Sequence, residues 1–392
     1  MIGFMRNYLN PTYIAQVLSI NCYYHGIEFI YFRPKDVDMN RGVVKGKVFK
    51  NYKWKTIETK IPTFIDVSPM CFKHKEVMEY LRKRAILSDS GENMVSKEKL
   101  QTLLEKDSNF SHLLIPTKAI ESIKDITEFL NKYSQVVLKP VDSRRGKGVY
   151  IVSKKSEIYQ VGYQEKDREM DVNQLEHFYE NTIKNKGYIL QKYISSRTIQ
   201  GDPFDCRVHV EKNGQGEWEV ARNFIRIGIG QKVISNINRG GGISDPKPFL
   251  KANFGDNWEK INNKLNELAV TFPYRMEEIR EQELMVMGLD VAIDKDGSLF
   301  LFEVNFAPVV APLKAEVGSL RSAYYKYILT NNQKESAKFQ KKKLNKKHNS
   351  NNKSIEKERD VLKKEINKIK NSTSWRVTKP IRIIGKIVSR KK

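Results

Sequence analysis

The chain has 392 residues, a formal net charge of +24 and 40% apolar residues, which is enough for two or three domains with hydrophobic cores and excludes a disordered chain. No run approaches the roughly 20 consecutive apolar residues that cross a bilayer, and polar residues and Pro11 interrupt the first twenty positions, so neither export nor a membrane anchor is expected. The scattered cysteines, Cys22, Cys71 and Cys206, exclude a disulfide framework or a zinc site and favour the reducing cytoplasm.

The positive charge is concentrated at the C-terminal end. Residues 331–392 carry about 21 Lys and Arg against 5 Asp and Glu, roughly +16 of the total of +24. A nucleic-acid-binding domain would carry its basic patch on a folded face, so no specific nucleic-acid partner is expected. A basic tail of this kind favours peripheral contact with a membrane surface or with an anionic polymer, and the alternative is a solvated segment without a partner.

The first 90 residues predict a small α/β domain. Short apolar runs bounded by turn residues predict strands at Gly26–Phe32, Gly42–Phe49 and Ile61–Val67, with a hairpin turn around Lys50–Lys53. Apolar residues at helical spacing predict a helix over Lys73–Ile86. We expect this domain to end near residue 90.

The segment from 91 to 330 predicts a larger α+β domain. Two helical stretches between Ser96 and Tyr133 precede the strand Gln135–Pro140, the glycine-rich loop Val141–Gly148 and a strand that begins at Val149. The remaining predicted elements are strands Tyr188–Ile194, Phe204–Glu211, Trp218–Ile227, Gly288–Asp294 and Ser298–Asn305, and helices Asn257–Leu268 and Met276–Met287.

Acidic residues in the last predicted hairpin suggest a metal site. Asp290 and Glu303 lie on its two strands, and Asn305 shares a strand face with Glu303 because side chains alternate with period two. Two carboxylates and an amide oxygen suit Mg²⁺ that bridges nucleotide phosphates. The alternative is an ordinary solvated hairpin face.

The loop from Ser143 to Gly148 has the composition of a phosphate-binding hairpin. It combines backbone N–H groups, two glycines and the cations Arg144, Arg145 and Lys147, but it fits neither the dinucleotide-binding nor the P-loop pattern. Lys139 lies in the preceding apolar strand, where a bare cation is costly unless it meets an anion. The alternative is a lysine at a strand edge.

Two arginines extend this set of cations. Arg207 lies in the strand Phe204–Glu211, and Arg239 opens the glycine run at 240–242. Taken separately, each fits an ordinary surface arginine or a turn.

Taken in order, these motifs resemble the ATP-grasp superfamily. The ordered motifs are Leu138-Lys139-Pro140, Gly146-Lys147-Gly148, Asp205-x-Arg207, Asn236-x-Asn238-Arg239-Gly240-Gly241, Asp290 and Glu303-x-Asn305-x-x-Pro308. Further stretches, among them Leu114-Ile115-Pro116-Thr117 and Gly216-Glu217-Trp218, are similar to the YheC/YheD-type, endospore coat-associated branch. The resemblance covers about residues 25–325.

The resemblance implies an α+β, ATP-grasp fold, with a pre-ATP-grasp domain (1–90) and two lobes that clamp ATP (91–330). The tail (331–392) lies outside the resemblance, and its apolar residues at helical spacing among basic ones predict a basic, amphipathic or coiled-coil helix. It implies that ATP and Mg²⁺ are the cofactors of a carboxylate–amine ligase. The implied site residues are Arg207 and Arg239 for catalysis, Lys97, Lys139, Ser143, Arg145, Gly146, Lys147, Gly148, Gln191, Lys192, Tyr193 and Ile194 for the nucleotide, and Asp290, Glu303 and Asn305 for the metal. Lys99 is the alternative to Lys97 as the second nucleotide-binding lysine. Gln191 occupies a position at which many relatives carry glutamate.

Residues 371–382 are similar to a short tail of bacterial enzymes that assemble surface polysaccharides. This similarity favours an amino acid or amine joined to a surface glycan or its precursor, at the inner face of the membrane. Two other functions stay open at this stage. One is a nucleotide-binding protein that serves a structural or coat-type role without catalysis, and the other is a binder of anionic polymers through the tail.

Overall fold

A computed structural model describes residues 1–141, 148–163, 166–229, 241–331 and 364–365. Contacts separate a compact unit, Met1–Ile328, from the unit Leu329–Lys392, of which five residues are described. No helix in the described ranges is long and apolar enough to cross a membrane. The three-part domain division stays a prediction.

The compact unit contains three β-sheets. The strands are β1 (Ile2–Met5), β2 (Phe29–Phe32), β3 (Val37–Asp38), β4 (Val43–Lys50), β5 (Lys53–Lys60), β6 (Phe64–Val67), β7 (Ile86–Leu87), β8 (Thr117–Ala119), β9 (Gln135–Pro140), β10 (Tyr150–Lys155), β11 (Ile158–Tyr163), β12 (Lys166–Met170), β13 (Tyr188–Lys192), β14 (Phe204–Lys212), β15 (Trp218–Ile227), β16 (Gly242–Ser244), β17 (Val286–Ile293) and β18 (Leu299–Asn305). The helices are α1 (Tyr13–Tyr24), α2 (Lys75–Arg82), α3 (Lys97–Glu105), α4 (Ile123–Tyr133), α5 (Val172–Phe178), α6 (Pro246–Phe254), α7 (Trp258–Arg280) and α8 (314–331).

The first sheet has the order β3-β4-β2-β1-β6-β7, with β5 paired to β4. Strands β2, β1, β6 and β7 run parallel, and β1 and β6 are buried along their whole length. The predicted hairpin turn at Lys50–Lys53 is confirmed, because Asn51 and Tyr52 both have positive φ, as a two-residue type I′ turn requires. The sequence prediction missed β1 and α1.

The second sheet has the order β12-β11-β10-β9-β13-β8. The predicted strand Gln135–Pro140 is confirmed as β9, and it pairs antiparallel with β10, as the predicted hairpin requires. Its core residues include Val136, Leu138 and Leu190, which α4 and α5 cover. The loop that joins β9 to β10 lies outside the described residues from 142 to 147.

The third sheet has the order β16-β15-β14-β17-β18, and α7 packs on its apolar face. The predicted pair of helices, Asn257–Leu268 and Met276–Met287, is wrong: one 23-residue helix, α7, continues through Pro273 and ends at Arg280. Leu265, Phe272 and Met276 keep one buried stripe on both sides of the proline, so core packing carries the helix across it. Residues from Val286 onward belong to β17 instead.

Packing beneath β17 sets the position of the polar residues on that strand. Leu289 is fully buried between Cys206, Val208 and the other core residues of the third sheet, one residue before Asp290. We predict that Leu289→Ala lowers the free energy of unfolding by about 2–5 kcal/mol, because it leaves a cavity in this core. The same substitution at the exposed Leu9 should change it by less than about 0.5 kcal/mol. Chemical denaturation of both variants measures the difference, and equal losses would contradict the assigned core.

Candidate active site

A cavity of about 180 Å³ opens between the second and third sheets. Strands β9, β10 and β13 form one side of it, and residues of β14 and β18 form the other. The lining residues are Val137, Lys139, Val149, Ile151, Gln191, Lys192, Tyr193, Ile194, Ser196, Arg197, Pro203, Phe204 and Phe302. Lys139 and the segment from Gln191 to Ile194, predicted from the sequence as nucleotide-binding, therefore meet in one cavity.

Lys139 is the cation in this cavity whose charge depends most on its surroundings. Its Nζ donates a hydrogen bond to Gln191 Oε1 at 2.9 Å, and Gln191 Nε2 donates to Thr117 Oγ1 at 3.1 Å. Burial, together with the nearby charge of Lys97, lowers the pKa of Lys139 to about 8, and Glu303 opposes this shift. Because the hydrogen-bond partner of Lys139 is a neutral amide, an anionic ligand beside this lysine would stabilise its charged form.

The segment after β13 offers backbone groups to a planar ligand. The N–H of Lys192 already donates to the Pro116 carbonyl at 2.9 Å, and that of Tyr193 to the Gln135 carbonyl at 3.2 Å. These two bonds fix the segment against the second sheet. The prediction that residues 191–194 bind a nucleobase through their backbone therefore rests on the other N–H and C=O groups of the segment.

Arg207 and Asp290 form a buried ion pair on neighbouring strands of the third sheet. Both Nε and one terminal nitrogen of Arg207 donate to the two carboxylate oxygens of Asp290, the second bond at 3.1 Å. Arg226 on β15 joins them, at 3.0 Å from Asp290 Oδ2 and 2.6 Å from both oxygens of Asp205. Burial disfavours the charged form of Arg226, but the two aspartates hold its pKa above the usual value.

Glu303 lies opposite Asp290 across the β17–β18 ladder, and Asn305 lies opposite Gly288. Glu303 Oε1 is 2.9 Å from Lys97 Nζ on α3. Among the described residues, the buried Nδ2 of Asn305 has no hydrogen-bond acceptor. The predicted metal residues and the predicted second lysine, Lys97, thus lie together at the edge of the cleft.

The donor set fits Mg²⁺ held jointly with phosphate. Arginines use three of roughly four lone-pair sites on Asp290, which leaves one without a partner among the described residues, and Glu303 is partly exposed. Within the described ranges no group of three His, Cys, Asp or Glu residues could hold a metal without help. Mg²⁺ commonly takes one or two carboxylates plus phosphate oxygens, which agrees with two carboxylates and an amide. A phosphate oxygen would also satisfy Asn305 Nδ2.

Several predicted residues lie outside the described residues, namely Ser143, Arg145, Gly146, Lys147 and Arg239. Gly148, the last residue of the loop, has φ +74°, and a Cβ there would lie 2.8 Å from the Tyr188 hydroxyl. A side chain at this position would meet both backbone strain and a close neighbour. Glycine is therefore the residue that fits at position 148, where the loop leads into β10.

Sequence reasoning missed Arg226. The signal was present, because Arg226 pairs in register with Asp205 across the β14–β15 hairpin. A one-residue bulge near His209 shifts this register, so counting back from the turn at Gly214–Gly216 gives a different partner. The distance from Arg226 to Asp290, two strands away, could not be read from the sequence at all.

The chain is similar in sequence to two proteins of Bacillus subtilis. The chain is 26% identical over 306 residues to the endospore coat-associated protein YheC of Bacillus subtilis, covering 72% of this chain and 81% of that protein. It is 22% identical over 291 residues to YheD of the same organism, covering 71% of this chain and 63% of that protein.

Solved structures of similar shape include a RiPP-associated ATP-grasp ligase of Chryseobacterium gregarium (TM-score 0.48, 12% identity, 84% of this chain and 96% of that one). Another is the D-cycloserine synthetase DcsG (TM-score 0.47, 14% identity, 82% and 97%). Both TM-scores are below 0.5, so the assignment rests on the sequence. The family described as YheC/D-like ATP-grasp matches residues 90–331, more than half of the chain. The chain belongs to the YheC/D-like ATP-grasp family and has its fold.

Proposed function

We propose that this protein is an ATP- and Mg²⁺-dependent ligase that joins a carboxylate to an amine through an acyl phosphate. One observation carries the proposal: Arg207, Asp290 and Glu303 converge on adjacent strands beside the cavity that contains Lys139. Cations and hard oxygen ligands at the edge of one cleft are what phosphoryl transfer needs, since that reaction depends on positioning and on charge stabilisation.

The position of each residue gives its role in the proposed reaction. Lys139 binds the nucleotide phosphates, and Arg207 stabilises the phosphoryl group in transfer with Arg226 holding Asp290 beside it. Asp290, Glu303 and Asn305 hold Mg²⁺, which neutralises phosphate charge when bound. A substrate carboxylate oxygen attacks the γ-phosphorus and ADP leaves. The amine nitrogen then attacks the carbonyl carbon, phosphate leaves, and the amide nitrogen loses a proton.

The names of the two relatives favour a second candidate. Both are described as endospore coat-associated proteins, which fits a nucleotide-binding assembly protein that does not catalyse. A third idea, a surface-polysaccharide acceptor, depends on residues 371–382, which lie outside the described residues. The acceptor and any contact of the tail with a membrane remain predictions.

We predict that Glu303→Gln weakens Mg²⁺-dependent ATP binding by roughly tenfold or more, because the variant removes a charged metal ligand. In EDTA the two proteins should bind ATP alike. Calorimetry measures both conditions, and Glu176→Gln, at an exposed position on α5, is the matched control. Equal Mg²⁺ dependence in Glu303→Gln and in the wild type would remove Glu303 from the metal site.

ADP release separates the two candidate functions. The ligase proposal expects the wild type to form ADP with a suitable carboxylate and amine, and Arg207→Met to bind ATP without forming it. Binding of Mg²⁺ and ATP without ADP release across broad panels of carboxylates and amines would favour the assembly protein. No binding of ATP at all would contradict both.

We predict that ATP affinity falls as the pH rises above about 8, because Lys139 loses its proton there in the free protein. The decline should approach tenfold per pH unit until the pKa of Lys139 in the complex is reached. Gln191→Glu places a carboxylate beside Lys139 and should move the decline to higher pH. Gln215→Glu, on an exposed turn, should leave the profile unchanged. Calorimetry from pH 7 to 10 tests this, and an unchanged profile in Gln191→Glu would contradict it.

A further inference from the structure

A second cavity, of about 110 Å³, lies where the first sheet meets the third. We call it the switch-point crevice. Its lining residues are Phe4, Arg6, Ile14, Asp66, Val67, Ser68, Pro69, Ser88, Asp89, Leu284, Met285, Val286, Phe306, Ala307, Pro308, Val310 and Arg321. The proposed nucleotide site does not use any of these residues.

The topology of the first sheet marks this crevice as a ligand site. Chain order runs from β1 to β2 on one side and later to β6 on the other, so the connection changes direction at β1. Arg6 follows the carboxyl end of β1, Ser68 follows that of β6, and Ser88 follows that of β7. Open parallel sheets bind ligands outside the carboxyl ends of their strands at such a point.

The opposite wall connects the crevice to the catalytic residues. Phe306 directly follows Asn305, the last residue of β18, and Pro308 lies two residues further on. A Cβ placed on Gly288 would lie 2.7 Å from Pro308 Cβ and 3.4 Å from Arg207 Cδ, so Pro308 and Arg207 both lie against Gly288. A molecule in the crevice is therefore separated from the phosphoryl-transfer residues by a single layer of side chains.

Arg6 keeps hydrogen-bond donors for a ligand. It donates to the carbonyls of Met5 and Asp66 and to Asp66 Oδ1 at 2.8–2.9 Å, and it stacks 3.5 Å from the centre of the Phe4 ring. A guanidinium has five N–H groups, so two of them have no acceptor among the described residues. A fixed guanidinium with two spare donors suits a carboxylate.

Asp89 supplies the complementary acceptor. Its Oδ1 accepts from the Gly91 N–H, from Arg280 and from Gln282, whereas its Oδ2 has one long bond, 3.4 Å from Arg280. The Arg280 guanidinium lies 4.8 Å from the centre of the Phe306 ring, which places Asp89 on the side of the crevice toward Asn305. An ammonium or amine therefore finds its acceptor at the end that faces the catalytic residues.

The charge balance of the walls selects the net charge of the guest. Arg6 and Arg321 line the crevice with Asp66 and Asp89, two charges of each sign, and the outer partners of these residues, Glu211 and Arg280, also cancel. A guest with a net charge would bring an uncompensated ion into a largely buried space. A zwitterion adds both signs and leaves the balance unchanged.

The size of the crevice limits the guest further. One water molecule needs about 10–15 Å³ of cavity volume. The crevice, with about 110 Å³, therefore has room for roughly seven to eleven non-hydrogen atoms. This number fits a small amino acid, whereas a sugar ring with its substituents or a dipeptide of ordinary size would extend out of the crevice. Apolar neighbours such as Ile14, Val67 and Leu284 favour an aliphatic side chain.

We propose that the switch-point crevice binds a small aliphatic α-amino acid, with its carboxylate on Arg6 and its amine near Asp89. Its role as the amine substrate rests on the proposed ligase function, but its binding does not. In this orientation the amine lies on the side of Asp89, Phe306 and Pro308, with Pro308 and Gly288 between it and Arg207.

The test is calorimetric titration of the full chain with single amino acids, with and without Mg²⁺ and a non-hydrolysable ATP analogue. A small aliphatic amino acid should bind, and the matched acid without the amine and the amine without the acid should each bind roughly tenfold more weakly or worse. Arg6→Met should cause a loss of similar size. Arg84→Met, whose guanidinium stacks on Tyr80 at the surface, should cause none.

A second pair of variants leaves the buried ion pairs intact. Ala307 lies at the exposed rim of the crevice, and Val309, two residues further on, lies outside it. Ala307→Trp should abolish amino-acid binding and keep nucleotide binding, and Val309→Trp should keep both. Failure of the wild type to bind any amino acid, or equal behaviour of the two tryptophan variants, overturns the proposal. Amino-acid binding without ADP release leaves the crevice assigned and contradicts only the ligase function.

Discussion

The structure depends on one fully buried strand, β14, which has opposite chemistry on its two faces. Cys206, Val208 and Val210 point into the core of the third sheet, while the alternate residues Asp205, Arg207, His209 and Glu211 are ionisable and equally buried. Asp205 pairs with Arg226 and Arg207 with Asp290. Glu211 pairs with its neighbour on the same face, His209, and with Arg321. Removing one partner from a buried ion pair costs about 3–5 kcal/mol, so the row fixes β15, β17 and α8 around β14.

This row of charges also joins the third sheet to the first sheet. Arg321 on α8 binds Glu211 through two nitrogens and lies 3.5 Å from Asp66, which accepts further bonds from Arg6 and from the Tyr325 hydroxyl. Burial disfavours the charged form of Asp66, yet the two arginines and the hydroxyl hold its pKa below the usual value. The cleft around Lys139 and the switch-point crevice therefore lie beside two charge clusters carried by one strand, Arg207 with Asp290 and Glu211 with Arg321.

The sequence predicted the strands of this framework better than the distant residues that contact them. The strands β9, β14, β15, β17 and β18 and the pairing of Asp290 with Glu303 follow from alternation and short turns. Strand β1 has only four residues, and its parallel neighbours are 24 or more residues away, so no local pattern reveals that it is central. The prediction split α7 into two helices because Pro273 is locally typical of a helix end, whereas the buried stripe of α7 is a property of the folded core. The contacts of Arg226 and Arg321 are equally non-local.

Ion pairs explain how a highly charged cleft is stable without a bound anion. Arg207 is paired with Asp290 and Lys97 with Glu303, so a phosphate group or a metal ion would exchange partners with groups that are already charged and oriented. For the buried pair of Arg207 and Asp290, exchange avoids leaving a bare buried ion, whose desolvation costs several kcal/mol. Lys139 differs, because its hydrogen-bond partner is the neutral amide of Gln191 and its pKa is lowered to about 8. An anion arriving beside Lys139 would therefore restore full protonation there, which couples anion binding to proton uptake at this residue.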